Sequence, residues 1–199
     1  MKQKKKLTFN DFFELSLYLI CTVTFVYYLV IGNGGKVFQS GLIIVVLLLL
    51  RGLITWTKSD LPFALRFSIL FFIALAMLVA NLFNMYGVIP HLDKIEHLLS
   101  GVILCFVGLF ILGKKVRHHK SQIAPSIAIW FAFFFSVAMA GVWEIYEFTV
   151  DGLLGFKSQN GSLYDTMLDI ICGTVGAIAT AFYLVYKVKK NPNSLFDSK

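Results

Sequence analysis

The stretch VFQSGLIIVVLLLLRGLITW, residues 37–56, is twenty residues long and carries one charge, Arg51. At about 1.5 Å of rise per residue a helix of this length is about 30 Å long, the thickness of a bilayer's hydrocarbon core. It reads as a membrane span. Five further apolar runs of similar length flank it, at 12–31, 62–83, 92–112, 124–150 and 163–187. The whole chain agrees: of 199 residues 58% are hydrophobic and 15% are charged, against roughly 25% charged in soluble domains. Mean hydropathy is +0.77. The expected fold is all-α, a polytopic membrane protein built as a bundle of about six transmembrane helices, with residues 1–199 forming a single integral membrane domain.

Lys2, Lys4, Lys5 and Lys6 precede the first run as they would in a signal peptide, but that run is long, aromatic and lacks a small-x-small cleavage site. It is expected to remain as the first helix. Orientation follows from the basic residues, which concentrate in cytoplasmic segments. With the N-terminus inside, the inner segments hold Lys2, Lys4, Lys5, Lys6, Lys58, Lys114, Lys115, Arg117, Lys120, Lys187, Lys189, Lys190 and Lys199, and the outer loops hold Lys36 and Lys157. Both termini are therefore expected to be cytoplasmic. The net charge of +7 is mostly this topology signal, together with attraction to anionic headgroups. Its dispersal among helix ends argues against a nucleic-acid partner.

Cys21, Cys105 and Cys172 all fall within spans, at no metal-ligand spacing. They read as small packing residues. The acidic residues are more informative. Of eleven, seven (Asp93, Glu96, Glu144, Glu147, Asp151, Asp165 and Asp169) belong to the last three helices or the loop between the fifth and sixth. On the topology above all seven lie toward the outer face.

Residues three or four apart share a helix face. Asp93, His97, Gly101 and Cys105 form one such stripe; Ser136, Ala140, Glu144 and Glu147 form a second; Asp165, Asp169, Gly173, Ala177 and Ala181 form a third. Each carries ionisable groups near its outer end and small residues deeper. Small residues let neighbouring membrane helices approach closely, and an ionised carboxylate facing lipid costs several kcal/mol. The stripes are thus expected to face one another.

So many carboxylates cannot all be ionised side by side without compensation: they share protons or recruit a cation. Lys94 lies at that depth but on a different helix face from Asp93 and His97. A divalent metal is the simpler compensator, since oxygen-rich sites with one imidazole suit Mg²⁺, Mn²⁺ or Zn²⁺. The blander alternatives are solvated helix-end acids at Asp93, Glu96, Asp151 and Asp165, a packing histidine at His97, and, for the whole set, a structural interhelical network. His91 sits in the preceding loop, His118 and His119 in a basic inner loop, and Arg51 and Arg66 near inner helix ends, where long side chains snorkel to headgroups. There is no nucleophile elbow, phosphate-binding glycine loop or internal repeat.

The motifs DKIEHLLSG at 93–101, WEIYEF at 143–148 and SQNGSLYDTMLDIICGTVGA at 158–177 resemble those of the YjdF-like inner-membrane family, which is similar to VanZ-like membrane proteins. The resemblance covers roughly 89–183. It implies a multi-pass protein of a bacterial-type inner membrane working at the cell envelope, and no specific activity.

The leading expectation is an outward-facing site on the last three helices that acts on a lipid or lipid-linked phosphoester, by metal-assisted hydrolysis or transfer. Asp93, His97, Glu147 and Asp169 are the expected ligands of one divalent ion, Glu144 or Asp165 the general base, and the glycine-bearing loop 151–162 a lid. One rival is an ion- or proton-coupled transporter, which uses the same residue types. Against it, the stripes continue inward as Gly101, Cys105, Gly173, Ala177 and Ala181, without polar groups. The other rival is a structural or regulatory membrane subunit that uses the acids only to lock helices together.

Overall fold

The computed structural model describes residues 7–118, 123–155, 158, 159, 161–191 and 195. Expectations resting on Lys2, Lys4, Lys5, Lys6, Lys120, Lys157, Lys199, His119 and the His118 side chain lie outside those residues, as do positions 156, 157 and 160 of the expected lid. Among the described residues the secondary structure is entirely helical. Six helices are long and apolar enough to cross a membrane: α1 (Phe9–Val30), α2 (Gly34–Trp56), α3 (Phe63–Ile73, continued by a π-helical Ala74–Leu82), α4 (Leu92–His118), α5 (Pro125–Leu154) and α6 (Leu163–Lys190). The α4 helix runs past the expected 112 because hydropathy marks only its apolar part, whereas backbone hydrogen bonding continues through the basic GKKVRH segment.

The solvent of these helices is lipid, and burial is accordingly inverted. Trp56, Phe148 and Phe182 are among the most exposed side chains, while Asn10, Glu14, Ser40, His97, Glu144 and Asp169 are buried. The chain packs as two compact units, Met1–Leu92 and Asp93–Lys199.

In the first unit, Leu17, Cys21, Ile43, Leu47 and Leu70 form the core. Helix α1 opens with a capping box: the Asp11 carboxylate accepts the Thr8 N–H at 2.8 Å, and Thr8 Oγ1 accepts the Asp11 N–H at 3.4 Å. Glu14, one turn on, is the buried acid of this unit. It accepts from Arg51 of α2 at 3.1 Å and from Arg66 of α3 at 2.6 Å, and Arg66 also reaches Asp11 at 2.8 Å. Both arginines were expected to extend to headgroups; they turn to Glu14 instead, because a carboxylate inside a helix bundle is stable only with its counter-charge close by. At the opposite end of the unit the Phe83 N–H bonds the Leu78 carbonyl five residues back, closing the π-helical turn. Lys36 of α2 then donates to the Asn81 and Leu82 carbonyls at 3.1 and 2.7 Å and to Asn84 Oδ1 at 2.7 Å. The Asn81 and Leu82 carbonyls lie at the helix's C-terminal, negative end, where an ammonium is favoured.

In the second unit Pro125 starts α5, Gly155 ends it at φ +69°, and Ser162 caps α6. The expected stripes do meet. A Cβ built on Gly101 of α4 would overlap the Gly173 carbonyl of α6, and one on Gly176 would overlap the Leu98 carbonyl. Helix α5 joins them through the buried Ser136 hydroxyl, which donates to the Gly101 carbonyl at 2.7 Å. Only glycine permits this approach of α4 to α6.

Candidate functional site

At the end of the second unit where α4 and α6 begin and α5 finishes, three helices converge above that glycine contact. Asp93, Lys94 and His97 come from the first turns of α4, Asp165 and Asp169 from those of α6, and Glu144 from the last part of α5. Capping fixes where α6 begins: Ser162 Oγ accepts the Asp165 N–H at 3.4 Å. Asp169 lies one turn further in, about 6 Å deeper at 1.5 Å per residue.

Lys94 is at the centre. Its ammonium donates to Asp93 Oδ2 at 3.0 Å, Asp165 Oδ1 at 2.6 Å and Asp169 Oδ1 at 2.7 Å. An ammonium has three N–H donors, so each meets a carboxylate. The expectation that Lys94 faces away is corrected: position 94 is off the Asp93–His97 stripe, but a four-carbon stem carries the charge round the helix to the acids of α6.

His97 lies beside Lys94. Its Nε2 is 3.5 Å from Asp93 Oδ1 and 3.6 Å from Asp169 Oδ1, and its Nδ1 is 4.0 Å from Glu144 Oε1. Side-chain exposure falls from 35% at Asp93 and 19% at Asp165 to 9% at His97, 5% at Glu144 and 3% at Asp169. The site therefore has an open rim and a closed floor. On the floor, neither carboxylate oxygen of Glu144 has a hydrogen-bond partner within 3.5 Å among the described residues; Gln159 Nε2, close by, donates to the Glu144 main-chain carbonyl at 3.3 Å.

Asp93, His97 and Asp169 each offer a ligand atom, and these atoms lie within 4.8 Å of one another. That is a spacing one cation can span, with two oxygens and one nitrogen to hold it. Of the other residues expected at the site, Asp165 is ion-paired to Lys94 on the rim. Glu147 lies apart from the three grouped ligand atoms: its Oε1 accepts the Trp143 indole N–H at 2.9 Å. Glu96, a candidate helix-end acid, is buried at 5% exposure. His91 is exposed, with φ +57° just ahead of α4. Asp151 holds the described part of the following loop, accepting the Ser158 N–H at 2.8 Å and the Gln159 N–H at 3.0 Å.

A family model described as "Predicted membrane protein (DUF2238)" matches residues 13–190, which span both units and every residue of the site. The chain belongs to the DUF2238 family. A relative from Thermotoga maritima, named "Uncharacterized protein", is 30% identical over 133 residues, 67% of each chain. No solved structure matches. The residue of this DUF2238 protein that sequence reasoning passed over is Lys94. Its signal was present: a lysine inside a predicted span, beside an aspartate, opposite two more aspartates at the start of another span.

Proposed function

We propose that this DUF2238 protein is a multi-pass protein of a bacterial-type inner membrane whose site on α4, α5 and α6 binds a divalent cation, Mg²⁺, Mn²⁺ or Zn²⁺, and acts on a phosphoester of a lipid or lipid-linked envelope intermediate. The observation that carries this reading is the grouping of Asp93, His97 and Asp169 within reach of one ion, beside the buried, unbonded Glu144. Four carboxylates face one lysine and one histidine there, so negative charge is in excess and a further cation is favoured. A bound divalent ion supplies activation of a water and stabilisation of charge on phosphoryl oxygens. Asp93, His97 and Asp169 hold the ion, and Lys94 adds a second positive charge near the rim, where a phosphate would enter.

The positive-inside pattern supports an outward-facing rim. The YjdF-like and VanZ-like motifs at 93–101, 143–148 and 158–177 support an envelope setting. An ion- or proton-coupled transporter is the second reading, favoured by a histidine buried among acids from three helices. Against it stands the floor, where the α4 and α6 backbones touch at Gly101 and Gly173 and Ser136 closes the remaining side; that supports a pocket open at one end.

The test uses the full chain in lipid vesicles containing isoprenoid and glycerolipid phosphoesters. Phosphate or headgroup release that needs Mg²⁺, Mn²⁺ or Zn²⁺, stops with chelator and is lost in Asp169→Ala is the expected result. Proton or cation flux by the same vesicles, with no release under any of the three metals, would overturn the enzyme reading in favour of transport.

A further inference from the structure

The imidazole of His97 lies between two kinds of neighbour. On one side Nε2 faces Asp93 Oδ1 and Asp169 Oδ1 at 3.5 and 3.6 Å, the groups that can share an ion; on the other, Nδ1 faces Glu144 Oε1 at 4.0 Å. A neutral imidazole has one N–H and one lone pair. If Nε2 is to ligate, its lone pair must point at the ion and the proton must sit on Nδ1, toward Glu144.

Glu144 is built to receive that proton's hydrogen bond. It is 5% exposed, and among the described residues neither carboxylate oxygen has a hydrogen-bond partner within 3.5 Å, although a buried carboxylate in a membrane helix is costly to leave unsatisfied. The 4.0 Å separation exceeds a hydrogen bond by about 1 Å, which a small turn of either side chain closes; such contacts are often long before a ligand is bound. Histidines that bind metals commonly donate their other ring N–H to a carboxylate, which fixes the tautomer and raises ligand basicity.

We infer that Glu144 is the positioning residue of this site, accepting the Nδ1–H of His97 and so presenting Nε2 to the cation. The inference rests on the cation-site reading above and gives Glu144 a role other than general base: it acts through His97 and does not touch the substrate. It also explains why α5, which lends no atom to the Asp93–His97–Asp169 group, carries a buried acid at this depth.

Mn²⁺ binding to the purified full-length protein, followed by electron paramagnetic resonance of the free ion, tests it. Glu144→Leu, similar in volume and acceptable in a membrane helix, is expected to weaken Mn²⁺ binding about 10–100-fold, the usual loss when the carboxylate behind a ligating histidine is removed. Glu144→Gln keeps an acceptor oxygen and is expected to recover most of the affinity. In a His97→Ala background Glu144→Leu should cost nothing further, because the two act as one unit. An equal loss in both backgrounds, or unchanged affinity in Glu144→Leu, overturns this role and leaves the cation site standing. A parent protein that binds no Mn²⁺ overturns the cation site and this inference together. Independently of any variant, ¹⁵N NMR of the Zn²⁺-loaded protein should show His97 protonated at Nδ1, and protonation at Nε2 contradicts the assignment.

Discussion

Each unit of the molecule buries an ionic cluster, and the two are built to different rules. In the first unit two carboxylates, Asp11 and Glu14, meet two guanidiniums, Arg51 and Arg66, and the buried Glu14 has a partner at each oxygen. In the second, Asp93, Asp165, Asp169 and Glu144 surround one lysine and one histidine, and among the described residues the Glu144 carboxylate has no hydrogen-bond partner within 3.5 Å. A balanced cluster ties helices together. An unbalanced one leaves negative charge in excess, which the cation-site reading proposed above assigns to a bound ion.

The largest effect expected from this contrast is in the first unit. Glu14→Gln leaves two guanidiniums without their shared carboxylate and should destabilise the protein by roughly 3 kcal/mol, the low end for breaking a buried ion pair. Unfolding in detergent micelles measures it, and added divalent ions should not restore it. Lys94→Met removes the ammonium from three aspartates of the second unit and should cost about 2–3 kcal/mol in chelator on the same reasoning. Here divalent ions should help: at a concentration near a hundred times Kd, a ligand that binds only the folded state returns about 2.7 kcal/mol. Loss of similar size in both variants with no rescue of Lys94→Met would erase the distinction between the clusters.

Packing beneath the site gives a smaller effect. Gly101→Ala drives a methyl group into the Gly173 carbonyl and should cost about 1–3 kcal/mol, as overpacking usually does. Gly52→Ala in the first unit, where an added Cβ meets nothing within 4 Å, should stabilise by about 0.5–1 kcal/mol through helix propensity. The smallest effect carries the sharpest sign. Glu144→Gln, the same exchange as Glu14→Gln, should leave metal-free stability unchanged or raise it by up to about 1 kcal/mol, because it removes the charge from a buried carboxylate with no hydrogen-bond partner within 3.5 Å among the described residues. A loss as large as that of Glu14→Gln would mean that Glu144 is an ordinary structural acid and would favour the structural-subunit reading.

The spans were legible in the sequence because crossing a bilayer takes a run of apolar residues, and composition over such a window is a strong signal. The stripes ending in Gly101 and Gly173 were legible as well, since helical periodicity places small residues on one face. Interactions between helices were not. Helix-face reasoning located Asp93, His97 and Asp169 but turned Lys94 away from them, because it follows the Cβ direction and ignores how far a long side chain reaches. The same limit sent Arg51 and Arg66 to headgroups when Glu14 lay within their reach on α1. By sequence Lys36 reads as a loop charge, and nothing local to it shows that it caps the end of α3. Glu147 follows Glu144 by three residues, near enough to join its stripe on a helical wheel, yet rotated enough for Trp143 to take it.

We propose that the charge excess of the second unit is a cation site. Its most direct measurement is the divalent-metal content of the purified, full-length protein after equilibration with Mg²⁺, Mn²⁺ or Zn²⁺, compared among the parent, Asp169→Asn and Asp93→Asn. The expected result is a single tightly held ion per chain in the parent, lost in both aspartate variants while each remains folded. A parent that retains no ion, or an Asp169→Asn variant that holds it as tightly as the parent, would contradict the claim.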